Sequence, residues 1–301
     1  MSSITSSAVS RDAVLNLVAG AEMVARLEKR LITGLKVSSP DDDAKAYYKA
    51  LSLSSRAADF TKRKLEIDQG VSNLKAGVSG ASLADSILKQ MKGIINTARS
   101  ADSTTRAALS SQFSDLSRQI NTAIRDGSFS GLNLVDNSSA SMTVYFNQAT
   151  TASLTVTATN LLASKLMTTM GTAATTGGLV ALGNMLQAAG AAVGGFSDLT
   201  SQNTLSPAAV LDSVSSVIDR GVSRIRSQSA LMGGNITFLQ SRINFTTDYT
   251  ATLNDGAGKL TNSDLDADGA ALACLLTRQQ IGIQALSIAG QQQAAVINLL
   301  H

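Results

Sequence analysis

The feature that most constrains this chain is a row of large aliphatic residues returning every seven positions: Leu211, Ile218, Ile225, Met232 and Leu239. A period of seven keeps side chains on one stripe of an α-helix, and a stripe sustained this long demands a partner helix beside it. Val214, Val222, Ile236 and Ile243 flank the row and widen it. Pro207 stands just before, suited to a first turn that has no use for its missing N–H. The pattern predicts a long coiled-coil helix beginning near Pro207.

Helical spacing recurs elsewhere. Between Arg11 and Leu35, the residues Leu17, Val24 and Leu31 are seven apart, with Val18, Ala25 and Ile32 beside them. The pattern breaks at Ser38-Ser39-Pro40-Asp41-Asp42-Asp43. Pro40 disfavours helix in the residue before it and the aspartates suit a new helix start, so Pro40, Asp41, Asp42 and Asp43 are expected to form a joint. A long helix should follow from Asp42 to Ala98, with a seam at Val71, Leu74, Val78, Ala81, Leu88, Met91, Ile95 and Ala98. Gly70, Gly77, Gly80 and Gly93 weaken it, so packing has to hold it. The polar stretch Ser100 to Thr105 separates it from a helix carrying Leu109, Phe113, Leu116, Ile120 and Ile124, an antiparallel hairpin. Near the other end, Leu253 to Gly269 contains four Asp and three Gly and reads as a second polar break. The final helix, Ala270 to Leu300, places Leu272, Leu276, Ile283, Leu286, Ile297 and Leu300 along one side.

The middle differs in kind. Alternation through Met142, Val144 and Phe146, and again through Leu154, Val156 and Ala158, predicts a two-stranded hairpin. From Leu161 to Ser206 the chain is low in charge and rich in Gly, Ala and Thr, with a candidate helix at Leu179 to Ala192. The expected fold is mainly α: long antiparallel coiled-coil helices, paired N- and C-terminal helices and a small β-containing central insert. The expected domains are residues 1–40 (N-terminal helix), 41–135 with 207–255 (coiled-coil core), 136–206 (surface-facing insert) and 256–301 (C-terminal helix). If the long regions pair, the two joints lie together and the terminal helices run side by side. A two-helix unit buries too little surface to offset its ordering entropy, so neighbouring copies are expected to complete it.

Composition narrows the function classes. Hydrophobic residues make up 44% of the 301 residues, yet aromatics are only 4%, with no Trp and two Pro, a profile suited to closely packed helices. The net charge of +3 comes without a basic tract, so nucleic acid is not an expected partner. No window reaches about 18 consecutive apolar residues, so no membrane span is expected. The stripes at the two ends lack the dense basic face of membrane-surface helices, which favours partner helices. Met1 to Ser10 lacks the basic head and apolar run of a cleavable leader, a pattern compatible with a cytosolic protein or with export by another route. Cys274 reads as a small buried hydrophobe.

No catalytic constellation can be assembled. His301 is the sole histidine, which rules out Ser/His/Asp and Cys/His sets elsewhere. Gly177-Gly178 and Gly194-Gly195 lack the Lys-Ser/Thr of a phosphate loop. Asp264, Asp266, Asp268 and Gly269 match the opening of a calcium loop, but the twelfth position is Leu275 instead of Glu, so helix capping is the preferred role. The expectation is a non-enzyme without metal or other cofactor.

Three segments resemble the bacterial flagellin family. Arg30-Leu31-Ile32-Thr33-Gly34-Leu35-Lys36-Val37-Ser38-Ser39-Pro40-Asp41-Asp42-Asp43-Ala44 is similar to its Arg-Leu-Ser-Ser-Gly-x-Arg-Ile-Asn-x-Ala-x-Asp-Asp-Ala segment. Phe129-Ser130-Gly131-Leu132-Asn133-Leu134 is similar to its Phe-Asn-Gly-x-x-Leu turn. Thr277 to Ala289, with Gln293 and Val296-Ile297-Asn298-Leu299-Leu300, resembles its Gln- and Ala-rich final helix. Lys36, Ser38, Pro40 and His301 depart from the family pattern. Leu88-Lys89-Gln90-Met91-Lys92-Gly93-Ile94 lacks the Arg and Glu that a flagellin-sensing innate immune receptor recognises, so that recognition is not carried over.

The resemblance implies a secreted subunit of the extracellular bacterial flagellum that self-assembles into a helical homopolymer for motility. Its implied partners are an export chaperone, a cap protein and hook-filament junction proteins. Leu17, Val24, Leu31, Leu272, Leu276, Ile283, Leu286, Ile297 and Leu300 are the expected assembly or interhelix contacts. Two alternatives stand beside this: a hook-filament junction protein, and a flagellin-like surface adhesin acting through residues 136–206.

Overall fold

The computed structural model describes residues 8–136, 139–166 and 207–299. The candidate helix at Leu179 to Ala192, the glycine pairs beyond residue 166, Leu300 and His301 lie outside them. The long elements are α1 (Ala8–Thr33), α2 (Pro40–Ala98), α3 (Ser103–Asp126), α5 (Pro207–Thr261) and α6 (Leu265–Leu299), with the single turn α4 (Ala163–Leu166) between. Two short antiparallel hairpins complete them: β1 (Ser128–Phe129) with β2 (Leu132–Asn133), and β3 (Ser141–Tyr145) with β4 (Ser153–Thr157). The chain divides into two compact units. One comprises residues up to Ala58 and from Tyr249 onward, the other Asp59 to Asp248.

The Asp59–Asp248 unit holds a sealed core. The heptad row of α5 is its spine: Leu211, Ile218, Ile225, Met232 and Leu239 are all buried. On α2 the seam residues Val71, Leu74, Ala81, Leu88, Met91, Ile95 and Ala98 are buried with them, and Val78 packs alongside. The two stretches run antiparallel, with ion pairs Arg99–Asp212, Lys92–Asp219 and Arg226–Asp85 along their edge. The two exposed pairs, Arg99–Asp212 and Lys92–Asp219, contribute little energy each, and the three together serve mainly to select the register. The third helix, α3, begins at Asp102, whose side chain accepts the Thr105 N–H, and delivers Leu116, Ile120 and Ile124 to the same cluster.

The helix glycines answer a packing demand. A Cβ on Gly70 would stand 2.7 Å from Cγ2 of Val144, and one on Gly80 would stand 2.9 Å from the carbonyl oxygen of Ala123. Gly70 thus makes room for the Val144 side chain, and Gly80 lets the backbone at Ala123 and Gly127 approach α2 more closely than an alanine would.

The hairpin β3–β4 pairs Ser141 with Thr157 through to Tyr145 with Ser153. Its alternation is as the sequence predicts, but its position is not that of a surface module. Met142, Val144, Phe146, Val156 and Ala158 are buried in the cluster formed by α2, α3 and α5. Arg242 lies over the Phe146 ring at 4.6 Å, and Phe146 meets Phe238 edge to face. The expectation of a surface-facing insert over 136–206 therefore fails for the residues described up to Leu166. They complete the core because the pleat turns one face wholly apolar.

The tight hairpin β1–β2 has its own logic. Ser130 and Gly131 take φ of 49° and 79°, the left-handed pair that a two-residue hairpin turn requires. Asn133 then donates from Nδ2 to the carbonyls of Ile124 and Arg125, while its Oδ1 accepts from the N–H groups of Val135 and Asp136. One side chain thus closes the end of α3 and the turn after β2.

Two boundaries differ from expectation. The long second helix starts at Pro40 and contains a non-helical residue, Asp43 (φ −162°, ψ 99°), whose carboxylate accepts the Ala46 N–H and starts the helix afresh. The expected break from Leu253 to Gly269 shrinks to residues 262–264, because α5 continues to Thr261. Asp255 pairs with Lys259 one turn on, and Gly256 faces Leu53, so acidic and glycine content here is helix surface and helix contact.

Candidate assembly surface

The unit formed by the two chain ends is built on α1 and α6, which pack antiparallel. Facing positions on α1 are Ala13, Leu17, Gly20, Val24, Leu27 and Leu31, and on α6 Leu272, Leu275, Gln279, Gly282, Leu286 and Ala289, all partly or fully buried. Both rows alternate in steps of three and four, the spacing of a coiled-coil seam. A Cβ on Gly282 would come within 3.0 Å of Leu17 Cδ2, so the glycine permits close approach. A groove of about 490 Å³ lies along this seam.

The joint ties these helices off. Gly34, at φ 71°, ends α1 with its N–H on the Arg30 carbonyl at 2.7 Å. The Lys36 and Val37 N–H groups donate to the Thr261 carbonyl, and the Ser263 N–H donates to that of Gly34, so the two polar breaks lie together. Asp42 accepts from the N–H and hydroxyl of both Ser38 and Ser39. These bonds, from the Ser38 N–H first, with Lys29 nearby, lower its carboxyl from 3.8 to about 2. Asp264 accepts the Ala267 N–H as the cap of α6, and Asp268 takes the Ser263 hydroxyl and faces Arg30. The acidic run is thus engaged in capping. Pro40 and Asp41 occupy the exposed first turn of α2.

The predicted contact residues divide into two groups. Leu17, Val24, Leu31, Leu272 and Leu286 face the partner helix within the chain. Leu276 and Ile283 do not; they are 41% and 55% exposed. The seam is rotated around α6 from the side the sequence suggested, and Leu275, not singled out there, occupies it. Ile297 falls on the last turns of α6, and Leu300 lies outside the described residues. Cys274 is exposed, not buried.

What remains outside the seam is unusually apolar. Leu15, Val18 and Ile32 on α1, with Ile281, Ile283 and Ile288 on α6, are each more than half exposed. From Gln279 to Leu299 there is no charged residue at all. A helix apolar around most of its circumference is normally enclosed by other elements. This unit has only Val24, Val37, Ala50, Ala57 and Leu253 as buried apolar residues among those described. No described helix is long and apolar enough to cross a membrane.

A sealed helical core and a pair of terminal helices with exposed apolar outer faces characterise a helical structural subunit. Residues 4–140 match the bacterial flagellin N-terminal helical region. Flagellin FljM of Caulobacter vibrioides is 25% identical over 100% of this chain and 99% of its own length. Flagellin C of Rhizobium meliloti is 23% identical, with both chains covered in full. In fold, the chain is similar to a solved structure assigned to the flagellar hook-associated proteins of Vibrio parahaemolyticus, with a TM-score of 0.58 and 14% identity over 73% of this chain and 100% of that one. Over its full length the chain is thus similar to bacterial flagellins, structural proteins that form filaments.

Proposed function

We propose that this chain is the structural subunit of a bacterial flagellar filament and polymerises by burying the outward faces of α1 and α6 against other copies. The observation that carries this reading is the uncharged stretch from Gln279 to Leu299 together with exposed Ile281, Ile283 and Ile288. Burying apolar area yields about 25 cal/mol per Å², so each such side chain favours a copy that covers it. The role is mechanical and not catalytic. Secretion to the cell exterior follows from it, with an export chaperone, a cap protein and hook-filament junction proteins as partners.

A hook-filament junction protein would share the fold, but the relatives aligned end to end are flagellins, which favours an extending polymer. The experiment is seeded growth: purified monomer is mixed with short filament fragments and viewed by negative-stain electron microscopy. Long filaments growing from the seeds are expected; seeds that gain only a short tip would transfer the reading to the junction class. An adhesive role is tested by deleting residues 167–206 alone, since residues 139–158 contribute to the core. Filaments should still form.

A further inference from the structure

We infer that the reversed charge order of one ion pair, Asp85–Arg226, fixes the register of α2 against α5 within the chain by excluding a slip of one heptad. The apolar rows do not fix it by themselves. On α2, Ile67, Leu74, Ala81, Leu88 and Ile95 stand seven apart and are fully buried, and the buried row of α5 from Leu211 to Leu239 has the same period. Two rows of five with equal spacing still overlap over four rungs after a slip of one heptad, about 10 Å along the axis. The notches repeat as well: Gly70 lies beside Leu239 and Gly77 beside Met232, seven apart on both helices. Gly221, beside Leu88, breaks the repeat, but a Cβ there would stand 3.4 Å from Leu88 Cδ1, an ordinary contact that discriminates weakly.

The flanking charges carry the same period with a change of sign. Arg99, Lys92 and Asp85 descend α2 in sevens and meet Asp212, Asp219 and Arg226, which ascend α5 in sevens, at 2.5, 2.5 and 3.3 Å. The order is positive, positive, negative on α2 and negative, negative, positive on α5. A slip one way sets Lys92 against Arg226 and leaves only Arg99–Asp219 favourable. A slip the other way sets Asp85 against Asp219 and leaves only Lys92–Asp212. Either slip thus exchanges three attractive pairs for one attractive and one repulsive pair. With the third pair in the same order as the others, each slip would keep two attractive pairs and meet no repulsion. Asp85 is also the least exposed of the six side chains, at 15%, where a like charge is least screened. The pattern is that of flanking charges that reject wrong alignments in coiled coils, here acting inside one chain.

The test reads the distance between nitroxide labels on the exposed positions Leu65→Cys and Leu231→Cys, in a Cys274→Ser background. Double electron–electron resonance is recorded on monomer refolded from denaturant. The parent charge order is compared with D85K/R226D and K92D/D219K. Each swap keeps three attractive pairs in the native register, but only D85K/R226D erases the change of sign. Parent and K92D/D219K should each give one distance. D85K/R226D should keep the parent's helical circular dichroism and show a second distance, displaced by up to about 10 Å, in about 10% of molecules or more. A single unchanged distance in D85K/R226D overturns the inference, as does an equal second population in K92D/D219K. Loss of helicity in D85K/R226D overturns it too, since that swap leaves the native pairs intact.

Discussion

The two units solve the same problem to different degrees. In the Asp59–Asp248 unit, thirty-three buried apolar residues among those described form one cluster, drawn from three long helices, a hairpin and a single turn. In the unit of the chain ends, five described apolar residues are buried, although α6 is the more apolar helix. Heptad spacing occurs in both, so periodicity alone does not distinguish them. The difference is the number of faces covered: α5 is packed by α2 and the hairpin, whereas α1 and α6 have mainly each other. A stripe thus signals that something packs there, and only the count of available partners shows whether that partner is in the same chain.

The sharpest way to break this contrast is Leu286→Asp. A carboxylate in the α1–α6 seam should abolish filament growth while the Asp59–Asp248 unit keeps its helical circular dichroism and melting transition. Filaments of normal length would show that the terminal pair is not the assembly surface. Next in size, Ile225→Ala should cost the monomer about 2–5 kcal/mol by denaturant titration. Ile281→Ala should stay within about 0.5 kcal/mol in the monomer and act only on polymerisation.

Glycines sharpen the comparison further. Gly80→Ala should destabilise the monomer by about 1–3 kcal/mol, because the new methyl meets the Ala123 carbonyl at 2.9 Å. Gly93→Ala, on an exposed face with nothing within 4 Å, should instead add about 0.5–1 kcal/mol. Chemical denaturation of the pair tests both signs at once.

The smallest effect concerns the joint. Asp42 is held below its ordinary 3.8, at about 2, so its contribution to the folded joint is complete above the ordinary value and is lost as pH falls towards about 2. The Ser38 and Ser39 amide resonances should therefore titrate with a midpoint near 2 in the folded monomer. A midpoint near 4 would show that the four hydrogen bonds do not form.

Much of this was legible in advance. The row Leu211 to Leu239, the hairpin alternation and the capping role of the acidic residues all follow from local chemistry, since each depends on neighbours within a few positions. The break expected over Leu253 to Gly269 is shorter in the structure because Asp255 and Gly256, turn-like in composition, find helix partners in Lys259 and Leu53. The hairpin lies in the core and not at the surface for a related reason. Nothing between residues 141 and 158 indicates that Gly70, far away in sequence, leaves space for Val144.

The sequence by itself determined the helices, their antiparallel pairing and the existence of apolar faces, because backbone periodicity and turn chemistry are properties of short stretches. Tertiary structure alone decided which faces are closed. Leu275 lies inside the α1–α6 seam and Leu276 outside it, a difference of one-quarter turn that depends on how the two helices rotate against each other. That rotation is set where Leu17 seats against Gly282, a contact between residues from opposite ends of the chain.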